Sequence, residues 1–223
     1  MARNSDTLSD SVVVIGLGRF GGAVAESLTL LGHDVLAIDQ DERLVQEWST
    51  KLSHVVQANT TSVDVLDQLS CRQFPHAVVA IGSDIEASVL TVLALADLGV
   101  PDIWAKAVSA RHGRILERTG AHHVVYPEAS MGERVAHLVT GKMIDFIEFD
   151  DGYAIAKTRA PREIAGKTLA EAALRSHHGV TIVGVKRRRE DFTYARPETR
   201  VEAGDILIVA GPTRLVEAFA GRT

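Results

Sequence analysis

The stretch that most narrows what this chain can fold into runs from Val12 to Asp39, VVVIGLGRFGGAVAESLTLLGHDVLAID. Val12–Ile15 is a short apolar, β-branched run of the kind buried on both faces of a parallel sheet. Gly16, Gly18 and Gly21 follow in the pattern G-x-G-x-x-G. The first permits a tight turn, the second lets backbone N–H groups approach a phosphate, and the third lets a helix pack against the strand. The spacing predicts a helix over Phe20–Leu31, closed by Gly32. A second apolar run, Val35–Ile38, ends in Asp39. That acid lies about 20 residues past the glycines, where a carboxylate meets ribose hydroxyls. Together these features point to a dinucleotide- or nucleotide-binding fold. Asp39 is also placed to cap the helix that follows. The acidic pair Asp39 and Asp41 argues against a 2′-phosphate, hence against NADP, and leaves NAD(H) and ATP or ADP open.

The same alternation continues downstream. Helices are expected over Glu42–Lys51, Ser62–Leu69, Glu86–Leu98 and Ala110–Thr119. Strands are expected over His54–Ala58, Ala77–Ile81, Ile103–Ala107 and His123–Tyr126. Six strands alternating with helices give a doubly wound, Rossmann-like parallel sheet in the order 3-2-1-4-5-6, over residues 11–126. Ligands in such sheets sit at the carboxyl ends of the strands, beside the switch in strand order. The expected crevice therefore gathers Gly16–Gly21, Asp39, Ala58–Thr61 and Gly82–Glu86.

Pro127 opens a further helix, Glu128–Lys142, which connects to a different pattern (residues 127–144 as connector). Strands over Asp145–Phe149, Tyr153–Thr158, Thr181–Lys186 and Asp205–Ala210, with one helix over Leu169–Ser176, predict a small α+β C-terminal domain over residues 145–223. Residues 1–10 are polar, without the apolar segment of a secretory signal, and are expected to be a disordered tail. A net charge of −5 argues against nucleic acid as the main partner. The single Cys71 excludes an intramolecular disulfide framework and reads as a small buried hydrophobe. No histidine sits in a recognised metal-ligand spacing.

Several polar residues carry the chemistry of the crevice. Arg19, beside Phe20 in the loop, places a cation at a helix N-terminus, which the helix dipole disfavours unless an anion sits before it. Lys106 interrupts the run IWAKA at a strand's end, either extending to solvent or facing the phosphates. Asn59, Thr60 and Thr61 follow the third strand, and Gly82, Ser83, Asp84 and Glu86 the fourth. The first group serves equally as ligand contact or helix cap, while the second lies beside the phosphates but reads more readily as a cap.

The stretches VVVIGLGRFGGAVAESL, AIGSDIEASVLT, IWAKA and YPEASMGERVA, in this order, resemble the cytosolic regulatory subunits of Ktr/Trk-type potassium uptake systems, the short KtrA type above all. Their nucleotide-binding domain is called RCK (regulator of potassium conductance) or TrkA-N. IAGKTLAEAAL, HHGVTIVGVKR and RPETRVEAGDILIVAG resemble the smaller TrkA-C domain. The resemblance implies a non-catalytic, nucleotide-binding subunit that gates a membrane potassium-translocating subunit from the cytoplasmic face. It implies homodimers assembled into an octameric ring, with Val135, Leu138, Val139 and Met143 forming an apolar stripe on the connecting helix. It further implies adenine near Asn59–Thr61, phosphate recognition by Arg19, and a Mg²⁺ or Ca²⁺ ion held by Glu128 at the dimer interface. In related subunits the C-terminal domain binds cyclic di-AMP, here near Leu174–Ile182 with Arg175 and His178. Two other functions fit a fold of this class: an NAD-dependent dehydrogenase, and a nucleotide sensor of another transporter such as an antiporter. The tail after Thr140 offers no acid–base constellation for the former.

Overall fold

The computed structural model describes residues 11–139, 143–149 and 152–222. The expected tail over residues 1–10 and the end of the connecting helix at residues 140–142 lie outside them. The chain divides into two compact units between Glu128 and Ala129.

In the first unit, six short apolar runs become β1 (Ser11–Ile15), β2 (Asp34–Asp39), β3 (His54–Gln57), β4 (His76–Val79), β5 (Asp102–Lys106) and β6 (His123–Val125). They pair in parallel in the order β3-β2-β1-β4-β5-β6. The intervening helices are α1 (Arg19–Leu30), α2 (Glu42–Trp48), α3 (Val63–Gln68), α4 (Ile85–Asp97) and α5 (Ala110–Thr119). The period-2 alternation of β1 explains its central place. Val13 and Ile15 enter one core with Val79, Leu95, Ile103 and Leu116, while Val12 and Val14 enter another with Val35, Ala37 and Trp48. Every residue of β1 is buried. The strand expected over Ala77–Ile81 ends at Val79 instead. Ala80 still donates to the Ile15 carbonyl at 2.7 Å, but β1 stops there and the chain turns away at Gly16, so Ile81 has no neighbour to pair with.

Helix α6 (Pro127–Val139) leads into the second unit, with Met131, Val135 and Val139 exposed along it. Of the expected stripe, Leu138 is half-buried and Met143 lies past the helix, buried in the second unit's core with Phe146. Its sheet is antiparallel, in the order β10-β9-β11-β8-β7, from β7 (Asp145–Phe149), β8 (Tyr153–Arg159), β9 (Thr181–Lys186), β10 (Thr193–Tyr194) and β11 (Ile206–Pro212). One face packs against α9 (Thr213–Ala220), whose Val216, Phe219 and Ala220 are buried with Phe146, Ala156, Leu207 and Val209.

In the second unit three features depart from the expected pattern, besides the short β10, which was not expected. The helix expected over Leu169–Ser176 is two short helices, α7 (Leu169–Ala172) and α8 (Leu174–His178), broken by Ala173 at φ 44° and ψ 43°. An alanine in the left-handed region costs about 1–2 kcal/mol, so the surrounding structure imposes it. The last strand runs two residues past Ala210, with Gly211 paired to Ala154 inside the sheet. Asp205 lies just before it, buried, its carboxylate accepting from the Glu202 N–H at 2.8 Å. The third feature is α9, unforeseen because it follows Pro212 directly, without a polar capping side chain.

Candidate nucleotide-binding site

The carboxyl ends of β1, β2, β4 and β5 bring the glycine-rich loop, Asp39, Gly82 and Lys106 to one edge of the sheet. Gly16 makes the turn with φ +93°, its N–H donating to the Ile38 carbonyl at 2.8 Å. Gly21 serves close packing. A Cβ there would overlap the Gly16 carbonyl oxygen and stand 2.7 Å from the Ala80 Cβ. Gly18 differs, since a Cβ built on it meets nothing within 4 Å. The methyl-sized space beside Gly18 is open, as it must be for a phosphate to approach the backbone.

Gly18 is the N-cap of α1, which has no side-chain capping hydrogen bond and no acid in its first turn. The first-turn N–H groups of a helix have no intrahelical partners and carry the positive end of its dipole, so this end suits an anion. Helix α4 opens on the same edge but is closed by its own chain, with Asp84 Oδ1 accepting from the Ala87 N–H at 2.9 Å. Of the residues after β4, Asp84 is therefore a cap and Ser83 is exposed.

Two long-range contacts hold the loop in shape. The Leu17 N–H donates to Asp39 Oδ2 at 2.6 Å, and the Trp48 indole N–H donates to the Leu17 carbonyl at 2.9 Å. Asp39 Oδ1 accepts from the Asp41 N–H at 2.8 Å. The cap of α2 is Asp41, which accepts from the Arg43 N–H at 2.9 Å. Asp39 thus fastens the loop to the end of β2, and each of its oxygens keeps a second acceptor site for a ribose hydroxyl. Trp48 had no local sequence signal for this role, since only the packing of α2 brings it beneath Leu17.

After β3, Asn59 Oδ1 accepts from the Thr61 N–H at 3.1 Å and its hydroxyl at 2.8 Å, shaping a turn. Thr60 is buried and pairs with the Thr91 hydroxyl at 2.9 Å, fastening the loop to α4. The hydroxyls of this loop are therefore engaged within the protein.

Lys106 is turned inward, with its side chain only 11% exposed. Its ammonium donates to Glu128 Oε1 at 2.6 Å and lies 5.7 Å from the centroid of the Phe20 ring. A Cβ on Gly82 would stand 3.2 Å from that Nζ, so the glycine makes room for the lysine head. The Lys106 hydrogen bond, foremost, holds the Glu128 carboxyl below the usual carboxylate range, and the positive charges of Lys106 and Arg19 add to it. Lys106 therefore holds the carboxylate in the first turn of α6, within the field of Arg19. Among the described residues no group of three His, Cys, Asp or Glu side chains is placed to hold a metal ion. Glu128 offers exposed carboxylate oxygens, the donor type that Mg²⁺ and Ca²⁺ take.

In the second unit a groove of about 430 Å³ is lined by Leu169, Leu174, Arg175, Ile182, Arg196 and Pro197. Arg175 belongs to it; His178 instead lies 3.7 Å from Glu163 and edge-on to Phe219. No helix among the described residues is long and apolar enough to cross a membrane.

The TrkA-N domain family matches residues 12–127, and the TrkA-C domain family matches residues 155–221. The chain belongs to the TrkA-N/TrkA-C family. It is 38% identical over 210 residues to Ktr system potassium uptake protein C of Bacillus subtilis, covering 94% of this chain and 95% of that one. With Ktr system potassium uptake protein A of Vibrio alginolyticus it shares 36% over 200 residues, 89% of this chain and 91% of the other. Among solved structures the GsuK channel aligns with a TM-score of 0.68 at 20% identity, over 99% of this chain and 40% of the channel chain. This TrkA-N/TrkA-C chain thus spans less than half of the channel's length. GsuK bound to NAD matches with a TM-score of 0.51 over 96% of this chain and 38% of its own, and GsuK bound to ADP with 0.52 over 61% and 35%, both at 24% identity.

Proposed function

We propose that this protein is a nucleotide-sensing regulatory subunit of a potassium uptake system. The observation that carries the reading is the uncapped start of α1, with open space beside Gly18 and the cations Arg19 and Lys106 nearby. The potassium-uptake relatives supply the physiological setting. ATP or ADP, or alternatively NAD(H), lies along the sheet edge. Its phosphates meet the N–H groups of Gly18–Gly21, with Arg19, Phe20 and Lys106 around them, Gly82 and Ser83 beneath, and the ribose on Asp39. Asn59 and Thr60 bound the adenine end through the loop they shape. Mg²⁺ or Ca²⁺ shared between Glu128 and the terminal phosphates is part of the proposal, because few protein carboxylates suffice when phosphate oxygens complete the shell.

The protein acts by binding and not by turnover, at the inner face of the membrane against a potassium-translocating subunit. Homodimers, assembled further into an octameric ring, use the exposed stripe of Met131, Val135 and Val139 on α6. A cyclic dinucleotide, cyclic di-AMP, is the proposed occupant of the groove beside Arg175. Nucleotides act on such an assembly only through different affinities for its conformations.

The test is rubidium flux into vesicles holding a Ktr-type membrane subunit and the purified protein, with ATP, ADP or NADH. Nucleotide-dependent flux, with light scattering that reports an assembly larger than a dimer, is the expected result. Flux indifferent to this protein and to every nucleotide refutes the reading.

A further inference from the structure

The ion pair between Lys106 and Glu128 joins the crevice to the first turn of α6. Its two ends are unlike. The lysine side chain is 11% exposed, wedged over Gly82 and beside Phe20, whereas the glutamate is 65% exposed. Lys106 is therefore fixed along its stem and has only a short arc open to its ammonium. Within that arc lies Glu128 Oε1 at 2.6 Å. The second crevice cation, Arg19 at the start of α1, also contributes to the field at this carboxylate.

We infer that Glu128 is an internal stand-in for nucleotide phosphate, a latch that holds Lys106 until a diphosphate-bearing ligand displaces it. The inference rests on the nucleotide reading above and adds its regulation. A carboxylate and a phosphate oxygen compete for the same ammonium, and a lysine offers its three donors within one small volume. In the latched state the Lys106 ammonium is engaged by Glu128, and a phosphate oxygen has to displace that carboxylate to bind it. The apparent dissociation constant is then the intrinsic one divided by the fraction of molecules that are unlatched. Ligand binding exchanges one partner of Lys106 for another and leaves the Glu128 carboxylate without its cation. Phosphate occupancy is thereby reported to the first turn of α6, and the released carboxylate is the group proposed above to take a divalent ion.

The experiment measures ADP binding by titration calorimetry in EDTA, which removes any divalent contribution. It compares the full-length wild type with Glu128→Gln, Lys106→Met and the double variant. The latch predicts that Glu128→Gln binds ADP about two- to fivefold tighter, the upper part of the range for an ion pair with one end exposed. In the Lys106→Met background the same substitution changes affinity less than twofold, because no latch remains to release. Tightening of equal size in both backgrounds means plain repulsion between carboxylate and phosphate, and overturns the inference. So does unchanged or weaker binding by Glu128→Gln when the wild type binds ADP. A wild type that binds neither ADP, ATP nor NADH overturns the nucleotide reading and this inference with it.

Discussion

Replacing Gly18 by alanine separates the phosphate site from the fold more cleanly than any other change in the loop. The added methyl meets no atom within 4 Å, and Gly18 has φ −63°, which alanine adopts without strain. An alanine N-cap costs a few tenths of a kcal/mol or more relative to glycine. Restricting the unfolded chain returns about 0.4–1 kcal/mol. These terms nearly cancel, and the melting temperature should move by no more than about 2 °C. The same methyl stands where phosphate oxygens must reach the first-turn N–H groups of α1. Losing one such charge-assisted bond costs about 1.5–3 kcal/mol, a drop in ADP affinity of roughly 10- to 150-fold. The control is Gly21→Ala, whose Cβ collides with the Gly16 carbonyl oxygen and stands 2.7 Å from Ala80 Cβ. Overpacking of that kind costs about 1–3 kcal/mol, or about 2–12 °C for a chain of this length. Calorimetry with ADP and thermal unfolding of both variants provide the assay. Wild-type affinity in a folded Gly18→Ala protein would refute the phosphate assignment.

Asp39→Ala should impair both stability and binding, because the carboxylate accepts the N–H of the buried Leu17 and is the proposed ribose acceptor. An orphaned buried N–H costs about 1–3 kcal/mol, so thermal unfolding without ligand must show a loss alongside the weaker ADP isotherm. Unchanged stability would mean that the loop is not fastened through Asp39. His112 supplies a pH dependence. It is 1% exposed, its Nε2 has no hydrogen-bond partner, and burial lowers its pKa from 6.5. Below the unfolded pKa the unfolded chain binds a proton that the native state resists, so this contribution is full above about pH 6.5 and is lost as pH falls toward the folded value. Melting curves from pH 7.5 to 5.5 should therefore fall more steeply for the wild type than for His112→Gln, and parallel curves would remove His112 as the source.

Where a role depends on neighbours in the chain, it was legible. The alternation of apolar runs with helical periods placed all six strands of the first unit and their order, because β-α-β handedness leaves few ways to wind them. The glycine spacing likewise located the loop, since its turn at Gly16 and its close packing at Gly21 are demands on the backbone itself. In the second unit four of the five strands were readable, but the two-residue β10 and the break at Ala173 were not. Nothing in LAEAALRSHH marks an alanine for the left-handed region, which the packing of α7 and α8 imposes from outside.

The difference lies in the range of the interactions. The fold class, the glycine loop and the acid at the end of β2 all follow from local periodicity and backbone stereochemistry. Only the tertiary structure decided that Trp48 and Asp39 grip Leu17 from two sides, and that Thr60 is spent on Thr91. It also decided that Lys106 turns inward to a carboxylate 22 positions along the chain. Those partners meet because the parallel sheet aligns the ends of its strands, and a strand's periodicity says where its side chains point but not what waits for them there.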